Sequence, residues 1–163
     1  INAAKQLGIS RDVIFGDFPD NQMDTVPMLE VIKWIENIIS EVNPDIIFTH
    51  HINCSNIDHR VCHEAAIIAS RPDHNKKKIS ILSGEVPSST GYLRPVSWEP
   101  NVYFEVSEDD VNNKISAMSC YETEKRENPH PRSPEVLKAL SKVRGSESGN
   151  MYAEAFMLNK LYV

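Results

Sequence analysis

Between residues 13 and 83, short apolar runs alternate with helical segments, and this alternation constrains the fold more than any other feature of the chain. Val13-Ile14-Phe15, Ile46-Ile47-Phe48 and the "KISILS" stretch over 78–83 are long enough for buried strands and too short for helices. Between the first two, Met28, Ile32, Ile35, Ile39 and Val42 recur at helical spacing and lay one apolar stripe along a helix over 26–42. Asn43-Pro44 ends it, because the residue before a proline avoids the α region. After the second run, Val61, Ala65, Ile68 and Ala69 make the buried face of another helix. It starts near Asp58, which can cap the first turn, and closes at Arg71-Pro72. This order predicts an α/β sheet with parallel strands in the first half of the chain.

The flanks are plainer. Ala3, Ala4 and Leu7 have helical spacing and Gly8 reads as a stop, so the chain opens inside the end of a helix. With no initiator methionine either, the expectation is an internal piece with residues missing upstream. A loop rich in Pro, Ser and Gly fills 84–101, a length usually functional or mobile. "VYFEV" over 102–106 follows as a strand, then a helix over 109–125 with Val111, Ile115, Met118 and Tyr121 on one face. Ser133-Pro134 opens a further helix in the favoured N-cap and first-turn order, Gly145 stops it, and 153–163 closes the chain as a strand.

At 163 residues the chain suits one domain over 1–163. A formal charge of −6 argues against a nucleic-acid partner, since phosphate contacts need clustered cations. The run Lys76-Lys77-Lys78 reads as a solvated turn rather than an anion site. No apolar stretch approaches the roughly 20 residues that span a bilayer. Cys54, Cys62 and Cys120 are too few for a disulfide framework, which predicts a reducing compartment, the cytoplasm.

The chemistry concentrates in "THHINCSNIDHR" over 49–60, directly after the second strand. Open α/β sheets bind ligands beyond the carboxyl ends of their strands. His59 falls in the first turn of its helix, where unpaired N–H groups disfavour the imidazolium and favour the neutral ring that ligates metal. Asp58 or the Asn56 amide can hold the loop and orient that ring. His63, one turn on, is a second ligand or, more commonly for such a residue, a packing group. Cys54 and Cys62 read as small buried fillers, since no CxxC pattern supports them as ligands. From the residues alone this is a candidate metal site and nothing finer.

"AAKQLGI", "FPDNQMD", "PDIIFTHH" with "NIDHR", "EVPSST", "YETE", "PHPRS" and "AEAF" occur in an order that resembles the LmbE-like / PIG-L zinc-dependent N-deacetylases nearly end to end. The resemblance implies a Rossmann-like open sheet, mostly parallel and flanked by helices, with its first strand missing from this chain. It implies amide hydrolysis by a Zn2+-activated water on a small N-acetylglucosamine-type sugar conjugate, in a homo-oligomer with no nucleic-acid or membrane partner. His59 matches one zinc ligand. A second histidine, an aspartate and the general base come from an upstream His-Pro-Asp-Asp motif that is not present here, so the chain as it stands is expected to be inactive. Asn56 stands where relatives often carry a second histidine and cannot act as an acid. His130 of "PHPRS" then becomes the catalytic candidate, from its own or a neighbouring subunit, or else a solvated loop residue. Asp20, His51, Asn56 and Arg71 are implied substrate contacts, with Asp58 supporting the ligand; Glu85, Ser88 and Ser89 belong to the loop. Many relatives carry an acidic residue where Cys54 sits, which bears on substrate class. The competing reading is an inactive, sugar-binding relative; a metal-dependent phosphoesterase or nuclease lacks the carboxylates or cations it needs.

Overall fold

The computed structural model describes residues 1–74, 77–93 and 98–163. Lys76 of the basic run and 94–97 of the long loop lie outside the described residues. Contact clustering divides the chain into two compact units: 1–15 with 103–155, and 16–102 with 156–163.

The second of these carries the polar cluster. Helix α2 (Met28–Val42) buries Val31 and Ile32, and Asn43, left-handed at φ 49°, caps its end by donating its N–H to the Ile39 carbonyl. Strand β1 (Ile46–His50) leads to helix α3 (Ile57–Ala69), which buries Val61, Ala65, Ala66 and Ala69. Met23, Val31, Ile32, Val61, Ala65 and Ala69 form a single apolar cluster between α2, α3 and the 3-10 turn Met23–Thr25. Val31 belongs to it although it lies outside the expected stripe. Strand β2 (Ser80–Gly84) pairs in parallel with β1, Ile46 opposite Ser80 and His50 opposite Gly84.

In the other unit, helix α1 (Asn2–Gln6) packs on helix α4 (Glu108–Met118), and Gly8 is left-handed as expected of a stop. Ser107 and Asp110 cap α4 reciprocally, a capping box. Helix α5 (Pro134–Ser148) starts with Ser133 accepting the Val136 N–H. Lys114 meets Glu154 at 2.7 Å.

Strand β3 (Val102–Glu105) and strand β4 (Ala153–Lys160) complete a four-stranded sheet of order β1-β2-β4-β3. β4 runs antiparallel to β2, so the sheet is mixed rather than mostly parallel. An apolar strand pattern is blind to direction, which is why the expectation failed there. Three other expectations are corrected. Val13, Ile14 and Phe15 form no strand and are 43–65% exposed: a strand needs a ladder partner, and among the described residues they have none. Helix α4 ends at Met118, where Cys120 and Tyr121 donate to carbonyls three residues back and tighten the chain out of the α geometry. Gly145 lies inside α5 and Gly149, at φ 78°, ends it. Among the described residues no helix is long and apolar enough to cross a membrane.

Candidate functional site at the end of β1

β1 delivers His50 to the carboxyl end of the sheet, and the chain then turns through 51–55 into α3. Asn56 caps α3, its side-chain oxygen accepting the N–H groups of Asp58 at 2.8 Å and His59 at 3.4 Å. Capping by Asn56 instead of Asp58 frees the Asp58 carboxylate. It reaches the 20–23 loop and accepts the N–H groups of Asn21 at 2.6 Å and Met23 at 3.0 Å. The Asn56 amide donates to the Asn21 side chain at 3.2 Å, and Asn21 in turn donates to Asp20 at 3.1 Å. Asp20, Asn56, Asp58 and His59 are thus brought into one hydrogen-bonded neighbourhood.

The His59 ring stacks on His50 with centroids 4.0 Å apart and planes at 11°. Its Nδ1 lies 2.9 Å from the sulfur of Cys54, a fully buried residue that also meets Ser89 Oγ at 3.1 Å. Cys54 is buried as expected of a filler, but its polar contacts go beyond that role. His63 is buried as well, and its Nδ1 donates to the His50 carbonyl at 2.7 Å; the packing alternative describes it. Burial holds all three rings towards neutrality. It pushes His50 down to about 4, helped by the neighbouring His59 and His63. It lowers His59 against the opposing pull of Asp58, and lowers His63 against its bond to the His50 carbonyl. His50 was no candidate from the sequence, yet its Nδ1 is buried without a hydrogen-bond partner among the described residues.

His51, 2% exposed, sets its ring edge-on to Trp98 at 5.2 Å and accepts the Asn53 N–H at 3.2 Å. Arg71 stands past the far end of α3, roughly 18 Å along the axis from His59 at about 1.5 Å per residue, and joins no part of the cluster. There it lines a separate cavity of about 310 Å³ with Glu36, Asn43 and Lys77. His130 lies in the other unit, where its ring accepts the Arg132 N–H at 3.1 Å.

Among the described residues no three His, Cys, Asp or Glu side chains converge where they could hold a metal ion. His50 and His59 do not share one either. An ion in the plane of one stacked ring sits far from the plane of the other, whereas zinc bonds imidazole nitrogen at about 2.0–2.1 Å. The described residues of this chain do not by themselves fit a zinc ion.

A parallel strand pair that feeds an imidazole-rich loop into a capped helix defines the class: an α/β protein with its site at the carboxyl edge of the sheet. Residues 1–70 match the family model described as PIG-L: GlcNAc-PI de-N-acetylase. This stretch, which contains the whole cluster, carries the PIG-L (LmbE-like) deacetylase family domain. Solved structures share the fold across 92–99% of the chain. The conserved protein TT1542 of Thermus thermophilus is 20% identical with a TM-score of 0.70, the chain spanning 72% of its length. The N,N'-diacetylchitobiose deacetylase of Pyrococcus horikoshii is 18% identical at 0.71, with 61% of its length spanned. Teicoplanin deacetylase Orf2, solved in a zinc-inhibited form, is 16% identical at 0.55, with 59% spanned. No protein of curated function matches the chain significantly in sequence.

Proposed function

We propose that the chain is part of a zinc-dependent N-deacetylase that hydrolyses the acetamide of a small N-acetylglucosamine-type sugar conjugate. One observation carries this reading: the segment matching the deacetylase family places His59 neutral and hydrogen-bonded at the carboxyl end of β1. The zinc-inhibited teicoplanin deacetylase, similar in fold, supports zinc as the metal. His59 is then one zinc ligand, and the further donors come from protein outside residues 1–163, as the family's His-Pro-Asp-Asp motif implies. Asp20 and Asn56, joined through Asn21, are the substrate contacts this geometry favours. His130 is the proposed proton donor to the leaving amine, from its own or a neighbouring subunit of a homo-oligomer. The free cysteines support a cytoplasmic setting.

Acetate release from N-acetylglucosaminyl conjugates, followed as zinc is titrated into the full gene product, tests the reading. His59→Ala should lower turnover at least about 100-fold, since even the groups supporting a ligand cost about 10–100-fold when removed. Full activity in that variant refutes the assignment. Tight binding of the sugar amide with no acetate released would identify a sugar-binding relative instead.

A further inference from the structure

We propose that Cys54 is a positioning residue that fixes His59 as the Nδ1–H tautomer and leaves its Nε2 lone pair bare. The functional consequence rests on the deacetylase reading; the geometry does not. A thiol has one proton to give, and Cys54 has two polar neighbours, Ser89 Oγ at 3.1 Å and His59 Nδ1 at 2.9 Å. The proton is directed to the Ser89 oxygen. Towards the ring the sulfur can therefore only accept, which requires the imidazole proton to sit on Nδ1. A neutral imidazole has one N–H, so Nε2 is left as a lone pair, the form a reacting partner needs.

Each member is held from more than one side. The Cys54 N–H donates to the His51 carbonyl at 3.1 Å, and its carbonyl accepts the Arg60 guanidinium at 2.8 Å. Ser89, 7% exposed, donates its N–H to Val86 at 2.9 Å, and its carbonyl accepts the Ser55 N–H at 3.0 Å. The 84–101 loop thereby reaches the reactive ring through a sulfur relay without touching it. His50, stacked on the ring's face, removes the remaining freedom to tilt.

The tautomer can be read directly from long-range proton–nitrogen correlation spectra of 15N-labelled protein at neutral pH. Wild-type His59 should carry its proton on Nδ1. Cys54→Ser should keep it there, and Cys54→Ala should let Nε2–H become the major form. Ser89→Ala is the sharper variant: it frees the thiol proton for Nδ1 and should switch His59 to Nε2–H from one residue away. Values of kcat/KM for acetate release should fall about tenfold in Cys54→Ala and Ser89→Ala and stay within about twofold in Cys54→Ser. A wild-type Nε2–H ring, or an unchanged tautomer in Ser89→Ala, overturns the proposal, and that second test stands even if Cys54→Ala does not fold. Switched tautomers with wild-type kcat/KM would overturn its functional half. A wild type that releases no acetate while showing the expected tautomers would sink the deacetylase reading and leave the positioning role intact.

Discussion

The Asp58 carboxylate collects two backbone N–H groups from a loop far away in sequence, Asn21 and Met23, while Asn56 does the capping one turn earlier. Losing an acceptor for partly buried donors costs about 1–3 kcal/mol. Asp58→Ala should therefore destabilise by about that amount in urea unfolding, and the Asn21 and Met23 amides should lose hydrogen-exchange protection first. Asp58→Asn, which keeps one acceptor oxygen, should lose less. Unchanged exchange at both amides in the alanine variant would show that something else holds the loop. The sequence identified Asp58 and Asn56 as the groups that could order this turn, but not which does what. Both are short acceptors, and the choice depends on where residues 20–23 arrive in space. His50 was illegible for a related reason: a polar residue at the end of a strand looks the same whether its ring faces solvent or stacks on a neighbour.

Among the elements, α5 shows most clearly what a sequence pattern can and cannot encode. Ser133-Pro134 marked its start correctly, because an N-cap hydroxyl followed by a preset φ is local chemistry. Its end was misplaced by four residues, at Gly145 rather than Gly149. Gly149 is the conformational glycine, left-handed at φ 78° with open space around its α carbon. Gly145 is there for packing: a β carbon added to it would stand 2.7 Å from the Asn150 carbonyl oxygen and 2.8 Å from the Tyr152 nitrogen. The chain leaving the helix folds back over that position, which no local pattern reveals. Two substitutions separate the roles. Gly149→Ala should cost about 1 kcal/mol, the strain of a side chain in the left-handed region. Gly145→Ala should cost about 1–3 kcal/mol, because rigid backbone must move. Equal melting temperatures for Gly145→Ala and wild type would mean that the return segment yields freely. The parallel pairing of β1 and β2 was legible for the same reason that the start of α5 was: a helix between two short strands leaves few alternatives. The direction of β4 depends on a longer path and was not.

At the scale of the whole molecule, the buried imidazoles should make stability depend on pH well above the range where carboxylates titrate. His50 is held down to about 4 against an ordinary 6.5, chiefly by burial, with His59 and His63 shifted the same way. Between those two values the unfolded chain binds the proton that the folded chain refuses, so unfolding takes up protons and stability rises with pH. The contribution is complete above about 6.5 and is lost as the solution is acidified towards 4. At about 1.4 kcal/mol per pH unit, His50 alone should remove about 2 kcal/mol between pH 6.5 and pH 5. An opposing effect exists, since acidification also relieves the repulsion implied by a net charge of −6. That repulsion is spread over the solvated surface and screened by salt within about 8–10 Å, whereas the imidazole penalty is local and unscreened, so the histidines should prevail. Glu108 and Asp110 are lowered by bonds to Lys138 and Ser107, and their contributions are lost only at still lower pH. Urea unfolding at fixed ionic strength should therefore show a steady loss from pH 7 to pH 5. His50→Phe, which keeps a flat ring on His59 and removes the unpartnered nitrogen, should flatten that slope and exceed wild type in stability at pH 5. A wild-type stability that holds level or climbs on acidification would mean that the ring at the end of β1 already carries its proton in the folded protein, and that the neutral cluster on which the deacetylase reading depends does not exist.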